Sequence, residues 1–149
     1  MFETFQRGEY SISTDPTRLD VDAIHSYLVS AYWCEGIPRQ TLERAIANSL
    51  CFGLFQGQDQ VGLARVITDS ATYAYLCDVY VLEDHRGKGL GKWLVECVMA
   101  HPVLQGLRRF SLATRDAHGL YRQFGFRELS QPESMMEILR PNIYGEAKS

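Results

Sequence analysis

The sequence predicts one α/β (α+β) domain built on a central, largely antiparallel sheet. Three observations lead there. Apolar residues recur at helical spacing through residues 20–49. The pattern then changes to strand character, with a hairpin turn at Gly57-Gln58-Asp59 and, beyond it, a run over 72–82 dense in aromatic and β-branched residues. Finally, the glycine-rich stretch Arg86 to Gly91 sits between a strand and an amphipathic helix. A length of 149 residues suits one such domain, able to bury a core without metal or disulfide staples.

Taken in order, Tyr10-Ser11-Ile12-Ser13 alternates as a short strand, and Thr14-Asp15-Pro16 stops it with turn residues. Over residues 20–32, Val21, Ile24, Leu28 and Ala31 share one helical face, with Asp20 placed to cap the helix. Gly36 and Pro38 interrupt the chain before a second helix over 39–49 that carries Leu42, Ala45 and Ile46. Strands are expected over 50–56, 60–67 and 72–82. The helix over 90–100 turns Leu94, Val95, Val98 and Met99 inward, and Pro102 ends it. A strand over 109–113 precedes a short helix over 117–124, for which Asp116 is the candidate cap and Gly125 the terminator. One more strand is expected over 134–139. Nothing repeats and no linker divides the chain, so the expected unit is 1–149 with a core over about 10–139.

Composition narrows the function classes. The hydrophobic fraction of 46% and charged fraction of 22% are those of a globular protein. No apolar run approaches the roughly 18 residues of a spanning helix. Met1-Phe2-Glu3-Thr4 lacks the basic-then-apolar pattern of a signal peptide, so a cytoplasmic location and no membrane partner are expected. A net charge of −3 argues against nucleic acid as a partner. Cys34, Cys51, Cys77 and Cys97 form no Cys-x-x-Cys pair and no zinc-like spacing; reduced, packed thiols and no metal are the expectation.

The glycine loop carries the first chemistry. A loop that leaves a strand and opens a helix aims several unpaired N–H groups at one spot, where the helix dipole adds positive character. Glycines let the backbone reach phosphate oxygens without a Cβ in the way. Arg86 and Lys88 add charge at the mouth. A P-loop is absent, and the dinucleotide fingerprint fails because Lys92 or Leu94 stands where its last glycine belongs. A pyrophosphate-binding loop is the reading that remains, against a merely structural basic turn.

The stretch Val79-Tyr80-Val81-Leu82-Glu83-Asp84-His85-Arg86-Gly87-Lys88-Gly89-Leu90-Gly91 resembles the acetyl-CoA signature of the GNAT N-acetyltransferases, with Arg86, Gly89 and Gly91 at its fixed positions. A second segment, Ala117-His118-Gly119-Leu120-Tyr121-Arg122-Gln123-Phe124-Gly125-Phe126, is similar to that family's Ala-x-x-Leu-Tyr-x-x-x-Gly-Phe. The resemblance implies a GNAT-like mixed, mostly antiparallel sheet flanked by helices on both faces. It also implies direct acetyl transfer from acetyl-CoA, as co-substrate, to an amine of a small molecule or peptide.

By that resemblance, Arg86, Gly87, Lys88, Gly89, Leu90, Gly91 and Lys92 hold the pyrophosphate, and the backbone of Val79 and Val81 pairs with pantetheine. Thr114 stands where the family often has asparagine, and a hydroxyl can supply part of the same hydrogen bonding. Tyr121 is the matched partner of the leaving thiolate. Full proton transfer from tyrosine to a thiolate is uphill by about 2 kcal/mol with ordinary values, so hydrogen-bond donation is the expected role.

An amine near pKa 10.4 must lose a proton before it attacks. Asp78, in an otherwise apolar strand, is either the base or an ion-pair partner of Arg65. On the acceptor side, Tyr32 and Trp33 offer an aromatic wall near Glu35. Arg65 meets either an acceptor carboxylate or Asp78. His118 reads as a surface residue. The alternative function is a non-catalytic acyl-CoA-binding or sensing module. Oligomeric state stays open, with a homodimer among the options.

Overall fold

The computed structural model describes residues 2–145. Six strands form one sheet in the order β1 (Thr4–Arg7), β2 (Tyr10–Ser13), β3 (Leu50–Gln56), β4 (Asp59–Thr68), β5 (Tyr73–Val81) and β6 (Arg109–Leu112). Each neighbouring pair is antiparallel except β5 and β6, which run parallel. Helices α1 (Val21–Leu28) and α2 (Arg39–Ala47) lie between β2 and β3; α3 (Leu90–Ala100) and α4 (His118–Arg122) flank β6 in sequence.

Alternation along the strands sorts side chains into two cores. Phe52, Leu54, Ala64, Val66 and Leu76 pack with Trp93, Leu94, Val95 and Val98 of α3. Cys51, Leu63 and Tyr80, pointing the other way, pack with Ile24, Leu28 and Leu42 of α1 and α2. The sheet therefore carries helices on both faces, as expected. Asp20 caps α1, accepting from the Ala23 N–H at 3.0 Å.

Element ends differ from the sequence expectation by a few residues, and three differences have a physical reason. First, β1 has only Phe5 as an apolar residue, so no alternation announces it; the two-residue turn Gly8-Glu9 pairs it with β2 all the same. Second, Asp116 does not cap α4. The helix has no side-chain cap; its cap residue is Ala117, whose N–H donates to the Thr114 hydroxyl at 3.0 Å. Third, residues 134–139 form no strand: a 3-10 turn, Pro132–Ser134, leads into an extended tail without a ladder partner. A β-prone segment becomes a strand only when another strand meets its hydrogen-bonding groups.

Candidate active site

Two departures from regular pairing build the site. β5 and β6 are in register only from Tyr73 opposite Arg109 to Leu76 opposite Leu112. Beyond Leu76, β5 runs on to Val81 with no strand on that side among the described residues. The Leu82 N–H donates to the Val61 carbonyl of β4 at 2.8 Å. Alternation along the strand then turns the backbone groups of Val81 and Val79 away from β4, toward the open side. Arg86 already occupies one of them, its Nε donating to the Val81 carbonyl at 2.8 Å.

The second departure is a bulge, where the β4–β5 register shifts between Leu63 and Arg65. Asp78 sits in it at φ 51°, a left-handed conformation that aspartate tolerates better than most residues. Gly62 lets the strands come this close: a Cβ there would lie 2.7 Å from the Tyr80 carbonyl oxygen. Asp78 is buried, and both its oxygens are engaged. The Trp33 indole N–H donates to Oδ1 and Arg65 Nε donates to Oδ2, each at 2.7 Å. Arg65 also donates to the Ser49 hydroxyl at 2.9 Å. Arg65 thus faces Asp78, the partner that one of its two sequence readings named.

From Val81 the chain passes through a 3-10 turn, Glu83–His85, into the glycine loop. Gly87 and Gly89 adopt φ 79° and 77°, values that only glycine takes without strain. Gly89 is the residue before α3 and offers no side-chain cap, so the first-turn N–H groups of Leu90, Gly91 and Lys92 stay free of side-chain partners. A Cβ built at Gly91 meets no protein atom within 4 Å, so the fold itself makes no demand for glycine there.

The flanking charges are tied back to the protein. Arg86 reaches the Tyr27 hydroxyl at 3.3 Å as well as Val81, and Lys88 donates to the Tyr10 hydroxyl at 3.1 Å. That bond to Tyr10 holds the Lys88 ammonium above its ordinary pKa. His85 Nδ1 lies 2.9 Å from the same hydroxyl, which joins loop, lysine and β2. Lys92 is exposed on the first turn of α3.

Across the opening stands α4. Tyr121 is buried, and its ring meets Phe126 edge-on at 6.0 Å. Burial raises its pKa. Thr114, which accepts from the Ala117 N–H, retains a hydroxyl proton to donate. Tyr32 and Trp33 lie edge to face at 5.1 Å, 54% and 42% exposed. The Arg115 guanidinium stacks 3.8 Å above the Tyr32 ring. The α1–α2 segment and the β6–α4 segment therefore meet over the gap in the sheet. Arg115 and Tyr10 escape the sequence reading because each acts on a partner more than 70 residues away, at no periodic spacing.

His118 is exposed at the start of α4. The four cysteines are free, and burial pushes Cys34 up to about 11 and Cys51, Cys77 and Cys97 up to about 12. Among the described residues no cluster of three or more His, Cys, Asp or Glu could hold a metal ion, and no helix is long and apolar enough to cross a membrane.

The fold that carries these features is one that known proteins share. The profile of the acetyltransferase (GNAT) family matches residues 21–126. The chain belongs to the GNAT acetyltransferase family. A Gibberella zeae protein named "Putative acetyltransferase" is 35% identical, the match covering 91% of this chain and 89% of that one. The crystal structure of a "putative acetyltransferase belonging to the gnat family" from Xanthomonas campestris superposes with a TM-score of 0.89 at 53% identity, over 91% of this chain and 96% of that one. A Clostridium acetobutylicum protein solved with acetyl-CoA is similar at a TM-score of 0.62 and 14% identity, over 93% and 96% of the chains, a likeness of fold alone. This GNAT protein is an N-acetyltransferase.

Proposed function

We propose that this acetyltransferase moves the acetyl group of acetyl-CoA directly to the primary amine of a small molecule or peptide. The observation that carries this reading is the open edge of β5, which leads from the Asp78 bulge through Val79 and Val81 into the uncapped start of α3. An extended pantetheine arm needs such an edge, and a pyrophosphate needs such a helix start. The open space at the Gly91 Cβ position fits the same ligand.

Val79, Val81, the loop from Arg86 to Gly91 and Lys92 would hold the cofactor, with Thr114 donating from the far side. Lys88 and Arg86 keep positive charge at the mouth while their side chains brace it. Acetyl-CoA supplies an activated thioester; the ammonium loses one proton to solvent before attack, the C–N bond forms, the nitrogen loses its second proton to solvent, and the C–S bond breaks to release a thiolate that solvent protonates. Tyr121 donates a hydrogen bond to the departing sulfur. Its raised pKa makes complete proton transfer still more uphill and suits donation without transfer.

Asp78, with one strong donor on each oxygen, acts in this proposal as a positioning residue. It fixes the bulge through Arg65 and the indole plane through Trp33. Trp33 and Tyr32 then form the aromatic rim on which the amine approaches. We place the enzyme in a reducing cytoplasmic compartment, in keeping with four free thiols. CoA release with a panel of amines tests the function: amine-dependent release above an enzyme-only blank is expected. CoA binding with no turnover on any small or peptide amine would refute it.

A further inference from the structure

We infer that Arg115 reads a carboxylate on the acceptor, so that the amine acetylated here belongs to a small amino acid rather than to a plain alkylamine. The inference rests on the proposed acetyl transfer and narrows its acceptor.

Two pinned turns place Arg115. On its own side, the Ala117 N–H donates to the Thr114 hydroxyl at 3.0 Å and closes a turn with Arg115 at its second position. On the facing side, the Gly36 N–H donates to the Val29 carbonyl at 2.7 Å and the Cys34 N–H to the Ala31 carbonyl at 3.2 Å. The segment that carries Tyr32 and Trp33 is thereby folded back on itself, and Asp78 fixes the indole at 2.7 Å. The Arg115 guanidinium stacks 3.8 Å above the Tyr32 ring, between these two held backbones. A cation already ordered by its surroundings loses little further freedom when a ligand arrives.

The stack decides which groups stay open. A guanidinium lying flat on a ring keeps its N–H donors in its own plane, pointing outward past the ring edge. Among the described residues no carboxylate is paired with Arg115. The other arginines of the site are occupied, Arg65 by Asp78 and Ser49, and Arg86 by the Val81 carbonyl and the Tyr27 hydroxyl. The acceptor carboxylate that Arg65 forgoes in favour of Asp78 falls to Arg115, whose planar fork suits two parallel N–H···O bonds.

The same stack limits Tyr32. A ring face that carries a guanidinium does not draw a second cation, so the incoming ammonium is left to Trp33. The two rings lie 5.1 Å apart, which sets a carboxylate subsite beside an amine subsite. An acceptor that meets both carries its carboxylate a few bonds from its amine. A polyamine would instead press a second positive charge against Arg115, and that repulsion selects against it.

Kinetics at saturating acetyl-CoA tests this, with acceptors paired so that only the carboxylate differs: glycine with methylamine, β-alanine with ethylamine, phenylalanine with 2-phenylethylamine. In at least one pair the amino acid should have the higher kcat/KM by about tenfold or more, the scale of one charged hydrogen bond. Arg115→Gln should bring that ratio to within about twofold of unity, through a raised KM for the amino acid rather than a lowered kcat. Arg115→Lys, which keeps the charge without the planar fork, should fall between. Calorimetry adds a readout free of turnover: the N-acetyl form of the preferred amino acid should bind the CoA complex of the native chain and not that of Arg115→Gln. Equal use of both members of every pair would overturn the inference, and so would a preference that survives Arg115→Gln. If no amine is turned over, the acetyl-transfer reading falls. Arg115-dependent binding of N-acetylglycine or N-acetylphenylalanine would then still uphold the carboxylate subsite, and its absence would remove that as well.

Discussion

At the residue scale, the two groups nearest the proposed chemistry do opposite things. Tyr121 keeps its hydroxyl free of hydrogen bonds within the described residues, and no buried side-chain polar atom is left without a partner, so the hydroxyl opens on accessible space. Tyr121→Phe should leave the affinity for CoA unchanged and lower kcat about tenfold to a hundredfold, the loss of one donor to a developing charge. Steady-state kinetics beside calorimetric CoA binding reads both; an unchanged kcat removes Tyr121 from the mechanism. Asp78 is fully engaged. Asp78→Asn keeps the indole partner but leaves the Arg65 guanidinium unpaired, which should cost about 3 kcal/mol of stability. In a pH–rate profile of that variant, the ionisation limiting the rate on the acid side should stay in place. If it vanishes, Asp78 is the base and the positioning role falls.

At the element scale, the loop and α3 form one device with β2. Gly89 must hold φ 77°, so Gly89→Ala tilts the first turn of α3 and should raise the KM for acetyl-CoA about tenfold, a change of one 1.4 kcal/mol step. The Tyr10 hydroxyl, shared by His85 and Lys88, steadies the same loop from below. Tyr10→Phe should raise that KM a few-fold with kcat unchanged; a fall in kcat alone would contradict the positioning role. The glycine loop was legible in the sequence because strand, loop and helix start are contiguous there. Its brace was not, because Tyr10 lies 75 residues from His85 and no local pattern couples them.

At the scale of the whole molecule, one buried histidine sets a pH limit. His101 is buried, its Nδ1 accepts from the Val103 N–H at 3.2 Å, and its ring meets Phe52 edge-on. Burial lowers its pKa below the ordinary 6.5. The unfolded chain therefore binds this proton more readily than the folded one. The resulting stability is fully present above about pH 6.5 and is lost as pH falls through the lower folded value. Thermal melts between pH 7.5 and pH 5 should show this fall, and His101→Asn should flatten it. An equal slope in the variant would assign the effect to other groups.

Periodicity alone determined that a helical pair precedes a meander of strands, and contiguous motifs determined where a glycine loop opens α3. Both are local properties, fixed by residues within a turn or two of each other. The tertiary structure decided what depends on meetings across the chain. It set where β5 and β6 part, which partner Arg65 and Asp78 take, and that Arg115 stacks on Tyr32 over the gap. It also decided that residues 134–139, strand-like in pattern, find no strand partner among the described residues. Pairing is a relation between two segments, and one segment's sequence specifies only its half of it.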